Sequence, residues 1–449
     1  MPTNFDTILR GGITAMPGGI LPADVAVRDG RIAAVGALGT ADAAEVIDCT
    51  GLYILPGVID TQVHFREPGL EHKEDLETGT AGAVAGGVTA VFEMPNTRPA
   101  TTTAELLADK LQRAAGRAWC DHAFFVGATA GNADALGRLE RLPGCCGVKM
   151  FMGSSTGDLL VPDDETVARV LAHGTRRVAV HAEDEDRLSE RRQIVARGAS
   201  VSRHPVWRDA ETAITATRRL LKLAVDAGRR VHVLHVTTGA ELLLLSRYRD
   251  VATVEVTPQH LTLAAPLCYE ILGTRAQMNP PIRDEVEQAA LWWAINDGTV
   301  DVLGSDHAPH TLEEKAQPYP LSPSGMTGVQ TLVPIMLNHV KEGRLSLQRF
   351  VDLTSAGPAR LYNIAAKGRI AVGYDGDFTI VDLARRHTID NSWIRSRCGW
   401  TPYDGMTVFG WPIMTIVRGR IVMREGELID PPAGVPVRFT DCLPSRARR

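Results

Sequence analysis

Four segments of this chain end in residues able to hold a cation or move a proton. The first, Asp60-Thr61-Gln62-Val63-His64-Phe65-Arg66, follows an apolar run that starts at Tyr53. In a strand, residues two apart share a face. Gln62 and His64 therefore point the same way, with Arg66 close behind. Val178-Ala179-Val180-His181 and His232-Val233-Leu234-His235 repeat the form, and Gly304-Ser305-Asp306-His307-Ala308-Pro309-His310 adds a carboxylate. A lone histidine at a strand end is usually structural. His64, His181, His235 and Asp306 at matching ends are harder to explain that way. Imidazole and carboxylate together suit zinc or a similar divalent ion. The spacing is not that of a zinc finger, so the fold must gather the ligands. Lys149, in Gly147-Val148-Lys149-Met150-Phe151-Met152, is anomalous in another sense, because a buried ammonium is costly without a partner. One reading is that it sits at the strand edge and snorkels to solvent.

These segments need a scaffold that sets strand ends side by side. Eight strands are expected at 53–64, 88–93, 122–127, 148–152, 177–181, 231–236, 253–256 and 300–303. Helices between them include 102–115, 210–227 and 285–297. Alternating strands and helices favour parallel βα units, and eight close a (β/α)8 TIM barrel, whose chemistry sits at the C-terminal strand ends. Both ends of the chain read as short strands and turns. The fold class is thus α/β: a barrel over 55–367, with a small β-sandwich formed by 1–54 and 368–449. The glycine-rich run 81–87 reads as close helix–strand packing rather than a phosphate loop.

The bulk composition narrows the partners. The formal net charge of −5 over 449 residues gives no reason to expect nucleic-acid or membrane-surface binding. The basic end Arg446-Ala447-Arg448-Arg449 reads as a solvated tail. No apolar run reaches the ~18 residues of a membrane span, and the N-terminus lacks a secretory pattern. Seven cysteines without a Cys-x-x-Cys pair fit a reducing cytoplasm.

The motifs resemble those of the dihydroorotases, among the cyclic amidohydrolases. That family's first strand carries His-x-His followed by Phe-Arg-x-Pro-Gly. Here the stretch is Gln62-Val63-His64-Phe65-Arg66-Glu67-Pro68-Gly69, with Gln62 in place of the first histidine. Asp306 to His310, Met94-Pro95-Asn96 and Met278-Asn279-Pro280 are also similar to family motifs. The likeness extends from Leu55 to about Asp382, and 398–405 resembles a family C-terminal loop without chemistry.

The resemblance implies a metal-dependent enzyme of pyrimidine biosynthesis that reversibly hydrolyses dihydroorotate to N-carbamoyl-aspartate. It implies zinc, one or two ions, on Gln62, His64, Lys149, His181, His235 and Asp306. Lys149 would be carboxylated by CO2 and bridge two ions. Asp306 would also be the catalytic acid and base. Arg66, Asn96 and His310 would hold the substrate carboxylate, and Asn279 would contact the ring. A homo-dimer or tetramer is expected on the same ground. An amide oxygen is a poorer zinc ligand than imidazole, so the ion served by Gln62 should bind less tightly. Two other readings remain open. One is a hydantoinase-like or allantoinase-like hydrolase, for which Arg66 would not matter. The other is a non-catalytic dihydroorotase-like scaffold subunit of aspartate transcarbamoylase. Ser154 to Gly157 is expected to reach the ring, and 311–325 to border the site. His307 reads as structural, and His232, three before His235, as facing away from the site. His72, His122, His173, His204, His339 and His387 read as structural; His260 has no assigned role.

Overall fold

Eight apolar segments in the middle of the chain form one parallel sheet, bonded in chain order. They are β1 (Val58–Val63), β2 (Val88–Glu93), β3 (Asp121–Gly127), β4 (Cys145–Phe151), β5 (Val178–His181), β6 (Val231–Val233), β7 (Ala252–Val256) and β8 (Val302–Leu303). A parallel bridge between Val63 and His307 joins the ends of the sheet. There the His64 N–H donates to the His307 carbonyl at 2.7 Å. The computed structural model describes residues 5–155, 159–196 and 198–443. Thr156, Gly157 and the basic end 446–449 lie outside the described residues.

Strands covered on both faces are apolar on both faces, and the alternation decides what enters the barrel. Val148, Met150, Val178, Val180, Val231, Val233, Val254 and Val256 pack outward, in one core with helix residues such as Leu220 and Leu291. Ile59, Phe92, Ala123, Phe125, Ala179 and Val302 fill the interior. Lys149 lies between two outward residues, so it faces in. The same holds for Glu255 on β7 and for His232 on β6.

His232 therefore does not face away from the barrel, as counting three back from His235 suggests. It lies inside, with Nδ1 2.9 Å from Thr253 Oγ1 and Nε2 3.6 Å from Glu255 Oε2. Regular β6 stops at Val233. His235 comes inward because its backbone turns to φ +37°.

The expected strand 53–64 is two strands. Tyr53–Pro56 pairs with Phe378–Thr388 in the sandwich, whereas Val58–Val63 is β1. Gly57 separates them, and a Cβ there would press into the Thr89 and Asp377 side chains. The sandwich has two sheets. One has four N-terminal strands between Phe5 and Asp48. The other, of seven strands, joins Ile13–Met16, Gly19–Pro22 and Tyr53–Pro56 to four C-terminal strands between Phe378 and Leu428. Leu9, Val25, Ile54, Phe378 and Ile416 form its core. The expected strand texture at 368–370 is irregular chain.

The segment after 433 leaves the sandwich for the N-terminal end of the barrel. The Val437 N–H donates to the His122 carbonyl at 2.9 Å, and Val437 and Phe439 enter the interior core beside Tyr362. Those apolar side chains plug the barrel end opposite the histidines.

Helix boundaries follow local chemistry. Ala210–Ala227 starts after Asp209, whose side chain caps Thr212 N–H at 3.0 Å, and ends at Gly228 with φ +61°. Among the described residues, no helix is long and apolar enough to cross a membrane. All seven cysteines are free, and six are buried.

Candidate active site

Nine of the ten residues singled out from the sequence line one cleft of about 350 Å³ at the C-terminal strand ends. They are Gln62, His64, Arg66, Asn96, Lys149, His181, His235, Asn279 and Asp306. His310 stands just behind, with Nε2 3.3 Å from Arg66 Nη2 and 3.1 Å from the Ser324 carbonyl. Ser155, Ser324 and Gly325 also line the cleft, so the loop after β8 does border it. Its wall is pinned by Lys315, whose ammonium donates to the carbonyls of Gln277, Pro323 and Gly325 at 2.9–3.1 Å.

Three cleft residues, Arg66, His235 and Asp306, are non-glycine residues with φ of +68°, +37° and +44°. Such backbone costs of order 1–3 kcal/mol per residue and gathers where side chains must be aimed.

Two histidine arrangements set an unprotonated ring nitrogen beside a second potential ligand atom. His181 Nε2–H donates to Glu183 at 2.8 Å, so its Nδ1 is bare. That Nδ1 lies 3.1 Å from His235 Nε2. Two nitrogens bound to one tetrahedral ion at about 2.0 Å would sit roughly 3.3 Å apart. The other nitrogen of a metal-ligating histidine commonly donates to a carboxylate, and Glu183 fits that part. Glu183 is in turn held by Arg208, at 2.6 Å. Burial raises its pKa, but Arg208 and His181 outweigh this and keep it well below the carboxylate range.

His64 is built alike. Its Nδ1–H donates to Asn96 Oδ1 at 2.7 Å, leaving Nε2 3.3 Å from Asp306 Oδ1. Gln62 Nε2 also donates to Asp306 Oδ1, at 3.0 Å, and Gln62 Oε1 is buried without a hydrogen-bond partner among the described residues. Burial raises the Asp306 pKa, but the His64 contact and the charges of His235 and Lys149 hold it far below its ordinary value. Asp306 is an anion at neutral pH.

Among the described residues, no group of three or more His, Cys, Asp or Glu side chains converges on one point as ligands. Each facing pair supplies two donor atoms that could reach one ion, and Lys149 and Gln62 line the same cleft. In that sense the donor set fits a divalent ion. Burial lowers the Lys149 pKa to about 7, against the raising pull of Asp306 and Glu255. A sizeable fraction is then neutral amine, the form able to react with CO2.

Five supporting residues escaped the sequence reading. Glu183 follows His181 by two, and that spacing at a strand end was the available signal. Glu255, in Val254-Glu255-Val256, is a charged residue inside an apolar strand, the same anomaly as Lys149. It accepts a hydrogen bond from Thr61 at 3.0 Å, and burial pushes its pKa to about 8. Gly304 makes room for it, since a Cβ there would lie 2.6 Å from the Glu255 carboxyl carbon. His204, read as structural, lies 3.0 Å from Asn279 Oδ1 and braces it. His260 lies 3.0 Å from the Pro280 carbonyl and holds the same turn. Lys73 contacts His310, and no local pattern marks it.

Residues 53–422 match the Amidohydrolase family. The dihydroorotase of Methanothermobacter thermautotrophicus is 33% identical over 91% of this chain and 93% of its own. The allantoinase of Rubrobacter xylanophilus is 36% identical over 97% of this chain and 98% of its own. The solved L-hydantoinase of Arthrobacter aurescens superposes with a TM-score of 0.91 at 31% identity, covering 96% and 99% of the two chains. The chain belongs to the amidohydrolase family, and is a hydrolase built as a (β/α)8 barrel carrying a β-sandwich.

Proposed function

We propose that this hydrolase opens the ring of dihydroorotate to N-carbamoyl-aspartate, and closes it in reverse. The observation that carries the reading is the cation at one end of the cleft. Arg66 is 1% exposed and, among the described residues, pairs with no carboxylate at hydrogen-bond distance; its Nε donates to the Pro309 carbonyl at 3.2 Å. A buried guanidinium calls for an anion, and a carboxylate matches its planar fork. Dihydroorotate carries a carboxylate beside its scissile amide; hydantoin and allantoin do not. His310 lies 3.3 Å from the guanidinium, and Asn96 and Asn279 line the same cleft.

A divalent ion, zinc on this donor set, would be held most firmly by His181 and His235, with His64, Asp306 and Gln62 as a second, weaker set. When bound, it supplies Lewis acidity toward the amide carbonyl. Lys149 would serve as a further ligand as a carbamate: its neutral amine would attack CO2, a nitrogen–carbon bond would form as one carbon–oxygen π bond opens onto oxygen, and one proton would leave to solvent. The product is an anion where a cation stood.

The chain's own residues do the rest. Arg66, Asn96 and His310 fix the carboxylate, which presents the amide carbon in one pose. Asp306, an anion at neutral pH, takes a proton from the attacking water at its carboxylate oxygen. It then gives that proton to the departing ring nitrogen. Gln62 Nε2, which donates to Oδ1, aims the carboxylate for that transfer.

A second reading, hydrolysis of an uncharged cyclic ureide, is favoured by the similarity to the allantoinase and the L-hydantoinase. Initial rates on dihydroorotate, hydantoin and allantoin, before and after chelation, separate the two. A chelator-sensitive rate confined to dihydroorotate is expected. No rate on it, even with zinc and bicarbonate supplied, would overturn the proposal.

A further inference from the structure

We infer that Lys73 is a positioning residue for the substrate carboxylate, holding His310 in the tautomer whose Nε2 carries the proton. This rests on the reading of Arg66 and His310 as an anion subsite.

Lys73 Nζ lies 3.1 Å from His310 Nδ1 and 3.0 Å from Glu314 Oε1. An ammonium has donors only, so Nδ1 must accept and the proton must sit on Nε2. Nε2–H then donates to the Ser324 carbonyl at 3.1 Å. The opposite tautomer would satisfy only two longer contacts, Glu314 Oε2 at 3.5 Å and Arg66 Nη2 at 3.3 Å. It would also set two donors against each other at Lys73 and two acceptors at Ser324. Protonation of both nitrogens is opposed as well. Burial, together with the charges of Arg66, Lys73 and Lys315, lowers the His310 pKa to about 3.

The favoured tautomer leaves one mismatch. His310 Nε2–H and an Arg66 Nη2 donor lie 3.3 Å apart, donor toward donor. A carboxylate oxygen would resolve it by accepting from Arg66 and by sharing the Nε2–H that the Ser324 carbonyl otherwise takes. Lys73 lies outside the cleft lining, so its effect on substrate passes through His310. Glu314 holds Lys73 in place and is anchored by its own hydrogen bond from the Thr311 N–H, at 3.1 Å.

The test uses long-range proton–nitrogen spectra of the imidazoles in the full-length protein, with the His310 signals assigned by their loss in His310→Asn. Wild type should show Nδ1 unprotonated and Nε2 protonated. Lys73→Met should populate the Nδ1–H form, and Lys73→Arg should restore the wild-type pattern. In kinetics, Lys73→Met should raise the KM for dihydroorotate on the order of ten-fold, with kcat near that of wild type. Nδ1–H in wild type, an unchanged tautomer in Lys73→Met, or a loss in kcat alone would each overturn the inference. Should dihydroorotate not be turned over at all, the substrate reading fails, and the imidazole spectrum still decides the role of Lys73. Should Lys73→Met not fold, the wild-type spectrum decides alone.

Discussion

The two ends of the cleft have opposite chemical needs. At one end, His181 Nδ1 faces His235 Nε2 at 3.1 Å, and His64 Nε2 faces Asp306 Oδ1 at 3.3 Å. Each pair sets two potential ligand atoms within the span of a single ion, an arrangement that suits a cation. At the other end, Arg66 Nη2 faces His310 Nε2 at 3.3 Å, donor toward donor, which asks for an anion. Both ends lie at the rim of one barrel, and both are braced from behind by a charged residue, Glu183 for His181 and Lys73 for His310. The brace has the charge opposite to the ligand the site awaits in the first case and the same sign as its neighbour in the second. A single principle covers both: the brace decides which imidazole nitrogen is bare.

Predictions that strain this comparison run from large effects to small. Asp306 is the anion nearest the cation-seeking end and the base of the proposed reaction. Asp306→Asn should lower kcat by about 10³- to 10⁴-fold, with the melting temperature showing that the fold persists. Glu183→Gln removes the acceptor that fixes His181. Metal affinity, read by competition with a chelator, should fall roughly 10- to 100-fold. Gln62→His restores an imidazole where an amide now donates to Asp306. The metal content per chain, measured on the purified protein, should rise by a second equivalent. If Gln62 already serves as a full ligand, the content will not change.

The smallest effect concerns Glu255, beneath Lys149. Its folded pKa, about 8, lies above the ordinary carboxylate value because of burial. A raised folded pKa means that the folded state binds the extra proton. The resulting stability is complete below the unfolded pKa and is lost as the pH rises toward 8. In metal-free protein, wild type should therefore lose melting temperature between pH 5 and 8, and Glu255→Gln should lose less. Equal slopes would show that Glu255 does not titrate in this window.

Much of this was legible because four of the expected strands end in a candidate site residue. Val178 to His181 shows both the alternation and the ligand, so barrel and candidate site came from one signal. Helix ends were legible where Asp209 and Gly228 bracket an apolar period. Three things were not. Gly57 splits one apolar run into two strands, which only the packing of Thr89 and Asp377 reveals. His232 was misplaced because a parity count assumes regular backbone up to His235, where the chain turns to φ +37°. Braces such as Lys73 and His204 act across 237 and 75 residues of sequence, and no local pattern encodes such contacts.

The central claim is that the anion-seeking end selects the substrate. The most direct test is to compare initial rates of Arg66→Ala and wild type on dihydroorotate and on hydantoin. Removing the guanidinium should lower kcat/KM on dihydroorotate by about 10²-fold, in keeping with the loss of a buried charged pair, and should leave hydantoin at its low wild-type rate. Full activity of Arg66→Ala on an uncharged ring that wild type prefers would contradict the account, and would assign this cleft to a neutral ureide.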